Sequence, residues 1–220
     1  MTVIGRRRWL AAAGAVAVVL LFVAGSLWSD RLDSPGQHRD TARRIEGDVT
    51  AYGSVDARVV MIEYADYRCP TCAHFAGETL PLLITEYVEP GLVRYEWRDL
   101  PVLGPESFDA AVAARAAGRQ GHYWAYHNAL FSDESAAADR EHWLVLARVA
   151  GVPDVDRFAL DLFDPALAAE VQADVDEAGR LGAAATPTFM IGETPVVGSQ
   201  LIEVYRQAIE HELRRAGVRR

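Results

Sequence analysis

Val59-Val60-Met61-Ile62-Glu63-Tyr64-Ala65-Asp66-Tyr67-Arg68-Cys69-Pro70-Thr71-Cys72 decides how the rest of the chain is read. Its opening run, rich in β-branched and aromatic residues, is that of a buried strand. The strand leads into a C-x-x-C whose cysteines are the only two among 220 residues. Ala73 to Val88 then reads as a helix, which puts Cys69 at a strand-to-helix junction. Unpaired N–H groups and the helix dipole at such a point favour negative charge and lower a thiol pKa. Pro70 suits the first turn, where its missing N–H is not needed. Two thiols at this spacing can join, part, and pass the disulfide to another protein. Cys69 is the candidate exposed nucleophile and Cys72 the candidate buried resolving thiol. Half a zinc site is the competing reading. Zinc wants four ligands, usually with a second cysteine pair, and here there is none and the histidines are scattered.

Glu63 lies six residues before Cys69. Strand alternation puts it on the face of Val59 and Met61, where a carboxylate is buried and its pKa raised. The alternative is a strand glutamate whose head reaches solvent at a sheet edge. Downstream, Pro81 falls inside the 73–88 helix and should kink it. Leu92 to Trp97 is a second strand with Val93, Tyr95 and Trp97 on one face. Gly104 to Gly182 is Ala-rich with helical spacing, and helices are expected at about 106–118, 122–132, 139–150, 154–162 and 165–181, punctuated by glycine and proline. Thr188 to Ile191 and Pro195 to Val197 read as a hairpin around Gly192-Glu193, and Gln200 to Ala216 as a closing amphipathic helix. The order implies an α/β domain: a central mixed sheet flanked by helices, with an all-helical block inserted between a β-α-β half and a β-β-α half.

Upstream, Arg6-Arg7-Arg8 precedes an uncharged run from Trp9 to Ser29. At about 1.5 Å per helical residue the run spans roughly 30 Å, the hydrocarbon thickness of a bilayer. Trp9 and Trp28 mark its ends, and the arginines should stay cytoplasmic. Residues 1–30 therefore read as a membrane anchor or a cleaved signal, and 31–50, polar and without periodicity, as a linker. The domain covers 51–220 and faces an oxidising space outside the cytoplasm, secreted if the signal is cleaved. The formal charge is -9 and the most cationic cluster lies at the N-terminus, which argues against nucleic acid as a partner.

With the C-x-x-C, three further stretches carry a family resemblance: Thr186-Pro187-Thr188-Phe189, Ala113-Ala114-Arg115-Ala116-Ala117, and Tyr123-Trp124-Ala125-Tyr126-His127-Asn128-Ala129-Leu130-Phe131. Over about residues 51–216 the chain resembles the DsbA-like branch of the thioredoxin fold. The resemblance implies a thioredoxin-like fold with a helical insertion at about 104–182. It also implies that Glu63 lies beneath the Cys69–Cys72 disulfide and takes the Cys72 proton. Thr186-Pro187 becomes a cis peptide facing the C-x-x-C, with the Thr186 backbone free to pair with an extended substrate; the other reading is an ordinary trans proline starting a strand. Pro70 and Thr71 line the approach to Cys69. Strong oxidants of the family carry His where this chain has Thr71, so relatives spanning roughly -120 to -270 mV stay open as guides to its potential.

No flavin, nucleotide or metal motif is visible, so the disulfide itself is the redox group. The expected activity is the oxidation of exported proteins with free thiols, followed by reoxidation through a membrane quinone-linked partner. A disulfide isomerase, a reductase serving cytochrome maturation, and a non-catalytic chaperone on the same fold are the alternatives. His74, His122 and His127 read as surface polarity, Phe75, Tyr123, Trp124 and Phe131 as core, and the charge runs at 139–142 and 174–180 as solvated helix faces.

Overall fold

The structure, a computed structural model of the protein, describes residues 41–133 and 139–218. The run 9–29, and with it the choice between anchor and signal, lies outside these residues. Among the described residues no helix is long and apolar enough to cross a membrane.

Five strands, β1 (Ala51–Tyr52), β2 (Val59–Ala65), β3 (Val93–Asp99), β4 (Thr188–Ile191) and β5 (Thr194–Val197), form one sheet in the order β1-β3-β2-β4-β5. β2 and β3 run parallel, Val59 opposite Val93 through Ala65 opposite Asp99. The other pairings are antiparallel, so the sheet is mixed. A parallel pair requires a crossover connection, here the helical segment α1 (70–88). β1 has two residues, too few to show a period. β3 runs two residues past its expected end because Arg98 and Asp99, polar in sequence, are buried in ion pairs. After β1 the chain turns at Gly53 (φ +89), where a Cβ would stand 2.7 Å from Val88 Cγ1 and 3.0 Å from the Val93 carbonyl oxygen.

α1 is not a simple kinked helix. It runs α-helical over Pro70–His74, π-helical over Phe75–Thr79, α-helical over Leu80–Leu83 and π-helical over Ile84–Val88. The Leu80 N–H bonds five residues back, to the Phe75 carbonyl. Pro81 thus follows a widened turn, which relieves both its missing donor and the contact of its ring with the preceding turn.

The helical block is α2 (Pro105–Gly118), α3 (Tyr123–Ser132), α4 (Arg140–Val149), α5 (Val155–Asp161) and α6 (Pro165–Leu181), and α7 (Ile202–Arg215) closes the chain. Asp139, Asp154 and Asp164 cap α4, α5 and α6 by accepting from first-turn N–H groups, and Gly182 ends α6 in the left-handed region at φ 72. Val59 and Met61 face α1 and α7 through Phe75, Leu80, Leu83, Tyr205, Ile209 and Leu213. Val60, Ile62 and Tyr64 face the other way, towards α6 and Leu100. Each fully buried large apolar side chain contributes about 1.5–3 kcal/mol.

Two expectations are corrected by one buried charge network. Asp174 and Glu177 are not on a solvated helix face. The Asp174 carboxylate accepts from Arg115 and Arg43 and from the Asp99 N–H, and Glu177 accepts from Tyr64, Arg98 and Arg43. Residues 43–50, placed in the polar linker, are built into the domain. The Arg43 and Arg44 N–H groups donate to Glu96, each at 3.0 Å, and the Arg44 guanidinium donates to the Val55 and Ala57 carbonyls. Charged residues in a run read as solvated unless their partners are known, and these partners lie up to 134 positions away.

Candidate active site

β2 ends at Ala65 and the chain turns sharply, with the Cys69 N–H donating to the Asp66 carbonyl at 3.1 Å. The Asp66 side chain fixes this turn from two directions. Oδ1 accepts from the Arg68 N–H at 2.8 Å, and Oδ2 accepts from the Val102 and Leu103 N–H groups at 2.9 Å each. Cys69 then caps the first turn of α1 in extended conformation, with Pro70 as the first helical residue. Pro70 and Thr71 are exposed, Thr186 is half-buried and Pro187 buried. The Thr186–Pro187 peptide is cis, as the resemblance implied. Across 117 positions the Thr186 carbonyl comes to 3.5 Å of Cys69 Sγ, and the Thr71 hydroxyl lies 3.0 Å from the same sulfur. The structure therefore brings Cys69, Cys72, Thr71, Thr186 and Pro187 into one place.

Both cysteines are present as thiols. Cys69 keeps 7 % of its surface, less than "exposed" suggested, because the Thr186 loop covers it, and Cys72 keeps 0 %. Their proton affinities part in opposite directions. Burial alone would raise the Cys69 pKa. Hydrogen bonding from the side chains of Thr186 and Thr71 and from the N–H and thiol of Cys72 outweighs it, and the net shift is downward. Burial first, then the nearby Glu63 carboxylate, push the Cys72 thiol upward. Glu63 is 1 % exposed, so the sheet-edge alternative falls. Burial raises its carboxyl to about 8 against the opposing hydrogen bond from Tyr95, and the Cys69 sulfur adds to the rise. The Tyr95 hydroxyl donates to Glu63 Oε2 at 2.6 Å.

Two neighbours, Tyr67 and His127, were missed in the sequence. Tyr67, two residues before Cys69, is buried, and its hydroxyl lies 3.0 Å from His127 Nδ1 and 3.1 Å from the Tyr123 hydroxyl. His127 is no surface residue: it is 1 % exposed, caged by the rings of Tyr67, Trp97, Trp124 and Phe131, and burial lowers its pKa to about 3. Tyr123, His127 and Phe131 fall at i, i+4 and i+8, one helix stripe, and that spacing was the available signal. His74 is exposed, as read. The arrangement is that of a dithiol whose outer sulfur has its pKa lowered and whose inner sulfur has its pKa raised, the inner one beside a buried acid.

The family model described as "Thioredoxin" matches residues 46–211. The chain belongs to the thioredoxin family. This thioredoxin-family chain carries the helical block of the DsbA-like branch, a likeness of fold to solved structures. A solved thioredoxin-like oxidoreductase from Silicibacter pomeroyi is 30% identical, with 74% of this chain and 91% of that one aligned at a TM-score of 0.66. The probable disulfide bond formation protein D of Bacillus anthracis is 23% identical over 91% of this chain and 93% of its own length. The Na(+)/H(+) antiporter NhaA of Herminiimonas arsenicoxydans is 36% identical over 67% of this chain, but the match spans 23% of the antiporter's length.

Proposed function

We propose that the chain is a membrane-tethered, extracytoplasmic oxidase that introduces disulfides into exported proteins through Cys69 and Cys72. The observation that carries this reading is the opposition between the two sulfurs, lowered at Cys69 and raised at Cys72. Stabilising the Cys69 thiolate stabilises the reduced enzyme, and whatever stabilises the reduced form makes its disulfide a stronger oxidant. The Thr71 hydroxyl, 3.0 Å from Cys69 Sγ, supplies part of that stabilisation in the position where strong oxidants of the family carry His.

A substrate thiolate attacks Cys69 Sγ in the Cys69–Cys72 disulfide. Cys72 leaves and takes a proton from Glu63. A second substrate thiolate attacks its partner sulfur in the mixed disulfide, the substrate disulfide forms, and Cys69 departs as a thiolate. Reoxidation reverses the order: Cys69 attacks the disulfide of a membrane quinone-linked partner, and Cys72, giving its proton back to Glu63, displaces that partner. Thr186, beside Cys69, offers backbone to an extended substrate, while Pro187 shapes the loop that carries it. The Cys69–Cys72 disulfide is itself the redox group of these steps. The tether is residues 9–29, which follow an arginine cluster that would stay in the cytoplasm.

The equilibrium potential of the dithiol against glutathione tests the direction of electron flow. The oxidase reading expects a value in the upper half of the roughly -120 to -270 mV window. A value near the thioredoxin end overturns it in favour of a reductase.

A further inference from the structure

Tyr95 has no part in the steps above, yet its hydroxyl makes the one hydrogen bond to the Glu63 carboxyl among the described residues, and Glu63 Oε1 has no partner there. Both residues are 1 % exposed. A bare, buried carboxyl oxygen is costly, so the asymmetry between its two oxygens calls for a reason. The ionisable groups that face Glu63 are Tyr95 on β3, Cys69 and Cys72 at the start of α1, and Tyr205 on α7. Burial and the Cys69 sulfur disfavour the carboxylate, and the Tyr95 hydroxyl favours it.

We propose that Tyr95 is a positioning residue for the resolving step: its hydroxyl ties Glu63 Oε2 in place and leaves Oε1 as the atom that takes the Cys72 proton. The inference rests on the reading of Glu63 as proton acceptor. In the step, the Cys72 S–H proton passes to Oε1 and the thiolate attacks Cys69 Sγ of a mixed disulfide. The Cys69–Cys72 bond forms, the bond to the other molecule breaks, and that molecule leaves as a thiolate with the electron pair. A donor on Oε2 stabilises the carboxylate that must accept the proton. Without it a larger share of Glu63 is already protonated at neutral pH, and Cys72 finds no acceptor.

The test is stopped-flow oxidation of the reduced full-length protein by excess oxidised glutathione, with the saturated, unimolecular rate of glutathione release measured from about pH 6 to about pH 10. Wild type is expected to show an inflection that Glu63→Gln removes. Tyr95→Phe, which keeps the ring against Trp124, is expected to move that inflection up by about one pH unit and to slow release about ten-fold at pH 7, with the rate recovered in alkali. A 3-fluorotyrosine at position 95, of nearly the same shape but with a more acidic hydroxyl, is expected to move the inflection down, and it keeps the inference testable if the phenylalanine variant folds poorly. An inflection unmoved by both changes, yet removed by Glu63→Gln, overturns the role of Tyr95 and leaves Glu63 standing. An inflection that survives Glu63→Gln overturns both.

Discussion

Two buried residues make stability respond to pH in opposite senses. Glu63 has its folded pKa raised from an ordinary 4.5 to about 8. Its contribution is complete below the unfolded value and is lost as pH rises from about 4.5 through about 8, because the unfolded chain sheds the proton first. His127 has its folded pKa lowered from 6.5 to about 3. Its contribution is complete above about 6.5 and is lost as pH falls towards 3. Urea unfolding of the reduced protein at about pH 5 and about pH 8.5 should show wild type weakening in alkali, and Glu63→Gln should remove on the order of 3–4 kcal/mol of that difference. An alkaline loss equal in both proteins would falsify the burial of an ionising Glu63. The same two residues show the reach and the limit of reading from sequence. Glu63 was legible because strand alternation puts it on the face of Val59 and Met61. His127 was read as surface polarity, because its partner Tyr67 lies 60 positions away on a different element and only the three-dimensional cage reveals what the helix stripe hinted.

Helices were legible where chemistry punctuates them. Pro105, Pro165 and Gly182 stand at the ends of α2 and α6, and the expected bounds fell within a residue or two of the observed ones. What escaped was whatever depends on a distant partner. The π turns around Pro81 are set by how α1 lies on the sheet, and the buried face of α6 by which arginines meet it. Arg115 on α2 bridges Asp99 of β3 at 2.6 Å, Asp174 of α6 and Glu170 of α6 at 3.0 Å. The planar guanidinium fork presents five donors in fixed directions and so serves three carboxylates at once. Asp174→Ala should therefore cost about 1–3 kcal/mol in urea unfolding, since it leaves the Asp99 N–H unpaired in the interior and takes one of three carboxylates from Arg115. A loss below about 0.5 kcal/mol, the scale of an exposed pair, would refute this account of how α2, α6 and β3 are joined.

For the molecule as a whole, the domain begins earlier than its polarity suggests. Arg43 meets Asp174 at 2.6 Å and Glu177 at 3.0 Å, and Glu96, between Arg94 and Arg98, also accepts from the N–H groups of Arg43 and Arg44. Combined Arg43→Ala and Arg44→Ala keep the backbone bonds to Glu96 but remove the guanidinium contacts with Asp174, Glu177 and the Val55 and Ala57 carbonyls, and should lower the unfolding free energy by about 2–4 kcal/mol while leaving the thiolate titration of Cys69 in place, because the network lies on the sheet face turned away from Glu63. A changed Cys69 titration in that variant would sink the separation of the two faces. The Asp66 carboxylate does the reverse: it joins parts. One of its oxygens holds the bend before the sulfurs, and the other holds the chain where β3 gives way to α2. The bend before the sulfurs and the threshold of the helical block thus hang on a single carboxylate, with Val102 and Leu103, apolar and open to solvent, beside it.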